Sequence, residues 1–573
     1  MPPSAERWIV PPRRPDLEQV LQRELGIPSL LAAVLVARGF ADPDSAQRFL
    51  HPSLDDLGDP SLLPDFEAGQ RAVLGARERG EKIFVHGDYD VDGVTSTALL
   101  GDFLRRIGCD VHVHVPHRLR EGYGIHLDAV AAAREMGAGL FLTCDCGTSA
   151  FEQVRAARAA GMRVVVTDHH HVPMEIPEAE AVINPHRAES AYPDPNLCGV
   201  GVAFRFCEGI TRAIGWPVHQ FRRHFLDLAA LGTVADVVPL LGENRILARF
   251  GLEQLRATKR VGILALLQSS KLGADRPIRS WHVAWVLGPR LNAAGRIDDA
   301  AMALRLLLTK DAEEARSLAE QLEAINERRK SEQERVFQEA IQRIEAEQLA
   351  EGPILLLADS SWHSGIIGIV AGKLAQRFYR PAFVGTTDED GSRLKFSARS
   401  IPGFHLAKAI LAHPHLLQGG GHERAAGFSL DSERLDEAKE ALASYARSML
   451  SPEDLVPTFE ADLEVRGSEA DLAGAESLEL LQPTGECNRE PCFLARGVRI
   501  DSATPTRNPR TAMLRLTAAD GFSVQGVTFQ HAERLQQEDL SQSFDMLFSP
   551  LVDEFRGEKR VKWQVRDFRP AEG

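Results

Sequence analysis

The ten residues VHGDYDVDGV (85–94) place His86, Asp88, Asp90 and Asp92 at alternate positions. Carboxylates crowded in this way repel one another and lose solvation unless a cation sits among them. Calcium is the first chemistry to test, because DYDVDG opens like the D-x-D-x-D-G of an EF-hand loop. That loop needs a bidentate Glu at its twelfth position, and counting from Asp88 this chain has Leu99 there. The preceding EKIFVHGD reads as a short buried strand, not an entering helix. Calcium fails on both counts. A solvated acidic turn, the plainer alternative, leaves His86 and the strand-turn-helix setting unexplained.

Three further polar clusters follow: Asp145 in TCDCG, Asp168, His169 and His170 in TDHH, and Asp236 in ADVVPL. A lone Asp at a strand end usually caps a helix, but four such clusters are hard to obtain from capping. His171 reads as a bystander. Asp and His together suit divalent metals of the Mn/Mg type. Five or six ligands exceed what one open catalytic ion uses, whereas two ions sharing a carboxylate would use them all. Such pairs, roughly 3.5–4 Å apart, activate water and stabilise both oxygens of a phosphoryl displacement. Asp145, alone on the middle strand, is the natural bridge.

The elements that must position these residues are legible too. Between about 80 and 185, apolar strands such as GLFLTCDCG and RVVVTDHH alternate with amphipathic helices such as SAFEQVRAARAAGM. This rhythm predicts a parallel sheet covered on both faces, with ligands at the carboxyl ends of its strands. Three of the clusters fall at those ends, and LDLAALGTVADVVPL places Asp236 just after a helical apolar stretch, so that all four would converge on one edge of the sheet. From Lys310 to about Leu349 the chain is nearly all helix formers with sparse apolar positions, which predicts a long solvated helix bridging two domains. After Gly352 a smaller α/β pattern begins, containing the glycine-rich turn LLQGGGHERAAGFSL. Beyond Asp454, segments such as AMLRLTAADGFSVQGVTF alternate in strand fashion and predict an OB-type β-barrel. The expected division is an N-terminal segment (1–50) packing on the catalytic domain, a catalytic domain (51–309), a connecting helix (310–350), a smaller α/β domain (351–450) and a barrel (454–573).

A chain of 573 residues implies about three or four domains. No apolar run approaches a membrane span and the amino terminus lacks a signal-peptide core, so a cytoplasmic protein is expected. Seven cysteines without a C-x-x-C pair favour neither a disulfide framework nor a zinc ribbon. A net charge of −15 argues against coating nucleic acid by bulk electrostatics, but leaves room for a narrow basic channel.

HGDYDVDG, TCDCG, TDHH and ADVVPL resemble, in order, the four motifs of the DHH phosphoesterase superfamily. LGPRLNAAGRIDDA (287–300), SWHSGIIGIVAGKL (361–374), FSARSIPGF (396–404) and GGGH (419–422) extend the resemblance to the bacterial RecJ single-strand-specific exonuclease family, from about residue 25 to the end. The resemblance implies that the second α/β domain is of the DHHA1 type. It makes His86, Asp90, Asp92, Asp145, His169 and Asp236 metal ligands, with Asp145 bridging two Mn²⁺ or Mg²⁺ ions and Asp88 a supporting acid. His170 would face the scissile phosphate and Asp168 would orient a neighbouring histidine. Arg118 would hold a 5′-phosphate, with Arg290, Asn292 and Arg296 as similar candidates. Ser397 and Arg399 match a pair that contacts the terminal phosphate. Gly420 and Gly421 let backbone amides approach an anion, and His422 would face the metals across the cleft.

The resemblance implies 5′-to-3′ release of mononucleotides from single-stranded DNA by two-metal hydrolysis, in recombination, mismatch repair and base-excision repair. It also implies a monomer that meets single-strand-binding protein and a RecQ-type helicase. A DHH-type oligoribonuclease or cyclic-dinucleotide phosphodiesterase is the enzymatic alternative, though those relatives are shorter and lack the barrel. A non-catalytic replication-fork module is the other, and predicts eroded ligands. Phe522, Phe529, Phe555 and Trp563 are candidate stacking platforms in the barrel. One segment departs from the family: LLQPTGECNREPCF (480–493) stands where relatives read close to PFGxGNPEPVF, with Thr484 for an aromatic and Cys487 for Gly.

Overall fold

The computed structural model describes residues 7–118, 120–273, 277–388, 391–555 and 557–571. Its first sheet has five parallel strands in the order Asp110–His114, Lys82–His86, Ala138–Cys144, Arg163–Thr167, Ala181–Ile183. The central strands are short apolar runs, KIFVH and RVVVT among them, because helices cover both faces. Helices Val91–Arg106, Gly199–Ala213 and Val218–Ala235 pack on one face. Helices Leu127–Glu135 and Phe151–Ala159 pack on the other. The chain steps from Lys82–His86 to one side and then returns to Ala138–Cys144 on the other. That reversal opens a crevice at the carboxyl ends of these two strands.

Helix Ala312–Ala346 runs for 35 residues, about 50 Å. Asp311 caps it by accepting hydrogen bonds from the Glu313 and Glu314 amides. Its sparse apolar positions predict a solvated rod, but the structure divides them between two cores. Ala315, Leu318, Ala319 and Leu322 complete the catalytic core. Val336, Ala340, Ile341 and Ile344 pack against helix Ser364–Phe378 of the next domain. That domain carries a mixed five-stranded sheet in which Gln418–Gly421 is an edge strand, paired antiparallel with Ala425–Asp431. The expected glycine turn therefore begins only after Gly421.

Strands Phe493–Pro505, Ala512–Thr517, Ser523–Thr528, Glu558–Pro570 and Ser543–Phe555 form the C-terminal barrel, closed by pairing of the first with the last. Trp563 is fully buried in its core, whereas Phe529 is half exposed and Phe522 only partly buried. The Phe555 side chain lies outside the described residues. Residues 7–50 correct the expectation that the N-terminal segment packs on the catalytic domain. Helices Pro15–Leu25, Ser29–Ala37 and Pro43–Leu50 share one core with the barrel. The reason is compositional: SLLAAVLVA is apolar all round and must be enclosed.

Candidate active site

Asp88 and Asp90 occupy the turn between strand Lys82–His86 and helix Val91–Arg106, and Asp92 stands in the first turn of that helix. Asp90 caps that helix, accepting from the Gly93 amide at 3.0 Å. The turn folds back so tightly that a Cβ on Gly93 would stand 2.5 Å from the Asp88 carbonyl oxygen. Asp92 accepts from the Gly199 and Val200 amides at 2.6 and 2.7 Å, which seats the N-terminus of a second helix on its carboxylate. Asp145 sits in the left-handed region, at φ 59°, where a residue with a Cβ is strained. Gly199 lies against it; a Cβ there would meet Asp145 Oδ1 at 2.6 Å.

His169 Nε2 lies 3.1 Å from Asp145 Oδ1 and 3.8 Å from both Asp92 Oδ2 and Asp236 Oδ2. Asp168 organises this strand end. It accepts from the His169, His170 and Thr148 amides and from the His170 ring at 2.8 Å. Burial alone would raise the Asp168 carboxyl, but the hydrogen bond and charge of His170 outweigh it and hold the group below the usual carboxylate range. Burial likewise works against the His170 imidazolium, and the Asp168 hydrogen bond more than offsets it, so His170 is raised.

The carboxylates around His169 have no such relief. Burial, and then the charge of Asp90, pushes Asp92 up to about 7. Asp88, Asp145 and Asp236 are raised well above their ordinary value by burial first, and then by the charge of Asp90 on Asp88 and of Asp92 and Asp90 on the other two. Asp88 Oδ1, Asp145 Oδ1 and His169 Nε2 are buried without a hydrogen-bond partner. Burial pushes His169 down to about 3, leaving a neutral ring whose lone pair is free. Three sets of donor atoms fall within ligating distance of one another: Asp88, Asp90 and Asp145; Asp92, His169 and Asp236; and Asp145, His169 and His170. Asp145 and His169 each belong to two sets. Orphaned oxygens and a neutral imidazole facing one point are the donor set of hard divalent cations.

The structure thus brings together Asp90, Asp92, Asp145, His169, His170 and Asp236, and adds Asp88 to them. His86 is not among them. It ends its strand in register with His114, its Nδ1 lies 3.2 Å from His114 Nδ1, and its Nε2 lies 3.2 Å from the Gly124 carbonyl oxygen. Both ring nitrogens are engaged away from the carboxylates.

The adjoining cleft is lined by Asp88, Asp90 and Asp92 together with Arg118, Tyr123, Asn292 and Arg296. Arg118 lies over the Tyr89 ring at 4.8 Å. Burial and then the charges of Arg118, Arg329 and Arg399 disfavour the Arg296 cation, and among the described residues no salt bridge joins any of these four arginines to a carboxylate. Ser397 and Arg399 approach Arg296 along a glycine face: Gly368 lies against both, and Gly365 against the Arg296 carbonyl. His422 is exposed and shares a second cleft with His169, His170, His171, His186 and Asp236. Gly420 and Gly421 precede it on the edge strand. Arg290 corrects its expectation. Its guanidinium pairs with Glu323 of the long helix and donates to the Val286 carbonyl, a structural tie between two helices.

Sequence reasoning missed Tyr123, Arg329 and two tryptophans. The Tyr123 hydroxyl lies 3.1 Å from His170 Nδ1. Arg329 looks like surface charge on a long helix, yet its described hydrogen bonds go to the neutral amides Asn326 and Gln333. Trp281 and Trp285 stand 52% and 78% exposed just before the helix that carries Asn292 and Arg296. The aromatic pair at four-residue spacing was the available signal.

The match to known proteins follows this geometry domain by domain. Residues 82–233 match the DHH family N-terminal domain, 351–448 the DHHA1 domain and 461–567 the RecJ OB domain. The single-stranded-DNA-specific exonuclease RecJ of Bacillus subtilis is 33% identical over 99% of this chain and 71% of its own length. That of Dickeya dadantii is 35% identical over 97% of this chain and 98% of its own. The crystal structure of RecJ from Thermus thermophilus in complex with Mn²⁺ superposes with a TM-score of 0.84 at 29% identity, covering 99% of this chain and 80% of that one. A Mg²⁺ complex of the same protein gives 0.77 at 28% identity, covering 99% and 78%. With three domain types matched in order and near-full-length identity above three in ten, the chain belongs to the RecJ family of DHH exonucleases.

Proposed function

We infer that this protein is a metal-dependent exonuclease specific for single-stranded DNA. The observation that carries the reading is the junction of two opposite deficits: carboxylates that lack a cation beside arginines that lack an anion. A divalent cation pair, Mn²⁺ or Mg²⁺, answers the first and a DNA phosphate answers the second. The donor set fits the ions through Asp88, Asp90, Asp92, Asp145, His169 and Asp236. When bound, such ions supply Lewis-acid activation of water and neutralise charge at the phosphoryl group.

The remaining work belongs to side chains. Asp168 fixes the orientation of His170, and the raised imidazolium donates to a phosphoryl oxygen as negative charge develops. Arg118, Arg296 and Arg399, with Ser397, hold a terminal phosphate by charge-assisted hydrogen bonds. A terminal phosphate carries more charge than an internal one, which supports engagement of 5′ ends and 5′-to-3′ release of mononucleotides. The exposed Trp281 and Trp285, with Phe529 on the barrel, offer stacking surfaces to unpaired bases. The proposed division of labour is catalysis by residues 51–309, substrate holding by 351–450 and strand binding by 454–573, joined by the helix across 310–350.

Recombination, mismatch repair and base-excision repair are the proposed settings. A single-strand-binding protein and a RecQ-type helicase are the proposed partners, and a cytoplasmic monomer is the proposed working form. Among the described residues no helix is long and apolar enough to cross a membrane. The barrel and the N-terminal helices built onto it disfavour the dinucleotide-phosphodiesterase alternative. The test is digestion of 5′- and 3′-labelled single strands, duplexes and dinucleotides with Mn²⁺ or Mg²⁺. Mononucleotide release from 5′ ends of single strands is expected; a preference for dinucleotides, or full activity in Asp145→Ala, overturns the reading.

A further inference from the structure

Asp236 reaches the donor set from the C-terminal end of a helix. It follows helix Val218–Ala235, and among the described residues no hydrogen bond holds its carboxylate. Its backbone must therefore position it. The next residue, Val237, is β-branched yet sits at φ 63°, 63% exposed, a conformation that persists only where the surroundings enforce it.

Three residues further on, a loop on the barrel side holds the chain. Leu240 is buried and donates its amide to the Glu486 carbonyl at 2.9 Å. Gly485 packs so closely that a Cβ there would stand 2.6 Å from Leu240 Cδ1 and 3.2 Å from its Cγ. Gly485 and Asn488 close a tight turn by reciprocal backbone hydrogen bonds of 2.8 and 3.2 Å, with Cys487 at φ 56° inside it.

The turn is anchored in turn. The Asn488 amide group donates to the Leu481 and Pro483 carbonyls at 2.8 Å, and its oxygen accepts from Arg38 at 2.8 Å. Arg245, on the helix that follows Leu240, donates to the Leu480, Leu481, Gln482 and Pro483 carbonyls. The segment from Val237 to Leu240 is thus stretched between the candidate metal site and a loop that belongs to another domain.

We propose that the Gly485–Asn488 turn is a positioning element for Asp236, so that the seating of the barrel tunes the affinity of the catalytic domain for its divalent cations. The proposal rests on the reading of Asp236 as a metal ligand. Gly485 and Leu240 touch neither ion nor DNA; they act through the backbone that leads to Asp236. Outer-shell changes of this kind shift metal affinity by roughly tenfold to a hundredfold.

The experiment titrates the full-length protein with Mn²⁺ alone, by calorimetry and by the Mn²⁺-dependent rise in melting temperature, with no substrate present. Gly485→Val is expected to weaken Mn²⁺ binding by roughly tenfold or more, whereas Cys487→Gly, which removes a strained side chain but keeps the turn, binds as the wild type does. Met513→Ala, on the barrel surface, is the comparator for a change in the same domain. Should Gly485→Val not fold, Gly485→Ala presses one methyl on the same side chain and carries the measurement. Wild-type affinity in a folded Gly485 variant, with Asp236→Asn weakened, overturns the positioning role alone. Wild-type affinity in Asp236→Asn itself removes the metal reading and this proposal with it.

Discussion

Two of the polar clusters packed inside the catalytic domain differ in one respect. Around His169, carboxylates are crowded, raised and partly without hydrogen-bond partners. Below the same helices, Asp102 and Asp227 meet Arg260, His224, Arg106 and Thr258 at 2.7–3.2 Å, and each charge has a partner. Burial would raise the Asp102 carboxyl, but the His224 hydrogen bond and the Arg260 charge outweigh it and hold it low. Asp227 is as deeply buried as Asp145, though Asp102 lies nearer the surface. The paired one is complete as protein; the unpaired one is complete only with a ligand. Burial of charge therefore says little about function, whereas its lack of compensation says much.

The contrast is most severely tested by removing one charged side chain from each cluster. Asp145→Ala should lower exonuclease activity by about a thousandfold, equivalent to ~4 kcal/mol of lost charge stabilisation. Its melting temperature in EDTA should match or exceed that of the wild type, because a repulsive charge has gone. A marked fall in that temperature would break the comparison. Arg260→Ala should do the reverse, costing about 3 kcal/mol of stability by stranding Asp102 and Asp227, with kcat per folded molecule unchanged. Arg329→Met should reduce the preference for 5′-phosphorylated over 5′-hydroxyl ends by about tenfold, the worth of one hydrogen bond to a charged group, read from competing labelled strands.

The smallest effect is a pair of opposite pH slopes. Asp92 rises from 3.8 to about 7 on folding. Its contribution to the metal-free protein is full below pH 3.8 and is lost as pH rises through about 7, so melting in EDTA should be higher at pH 5.5 than at pH 8. Mn²⁺ should close that gap. Asp102 is lowered on folding, so its contribution is present above 3.8 and is lost only as pH falls through its depressed value. In Asp102→Asn, stability should fall less steeply in acid, measured by chemical denaturation across pH 2–5.

The strand-end clusters were legible because strands of four to seven residues with apolar interiors leave few places for Asp and His to go. Asp145 and His169 follow from that alone; Asp236, at the end of helix Val218–Ala235, does not. His86 misled because spacing says which residues share a turn, not which way a ring rotates; here the neighbouring His114 claims it. Arg290 and Arg329 changed places for a related reason. On a helix the partner decides whether an arginine is free: Glu323 meets Arg290 only once two helices are packed, whereas Arg329 turns back to Asn326 on its own helix. The N-terminal helices show the same limit at larger scale: SLLAAVLVA announces that it is buried but not against what.

The long helix has a bearing on how this protein can be divided. Because Leu318 and Leu322 line one core and Val336 and Ile344 the other, a gene fragment stopping at residue 309 would leave the nuclease half with an open seam of leucine and alanine facing water. A fragment beginning after residue 346 would strip the second half of its lid. Only pieces that keep the whole rod retain a closed surface, and heat should melt the two halves together rather than in succession.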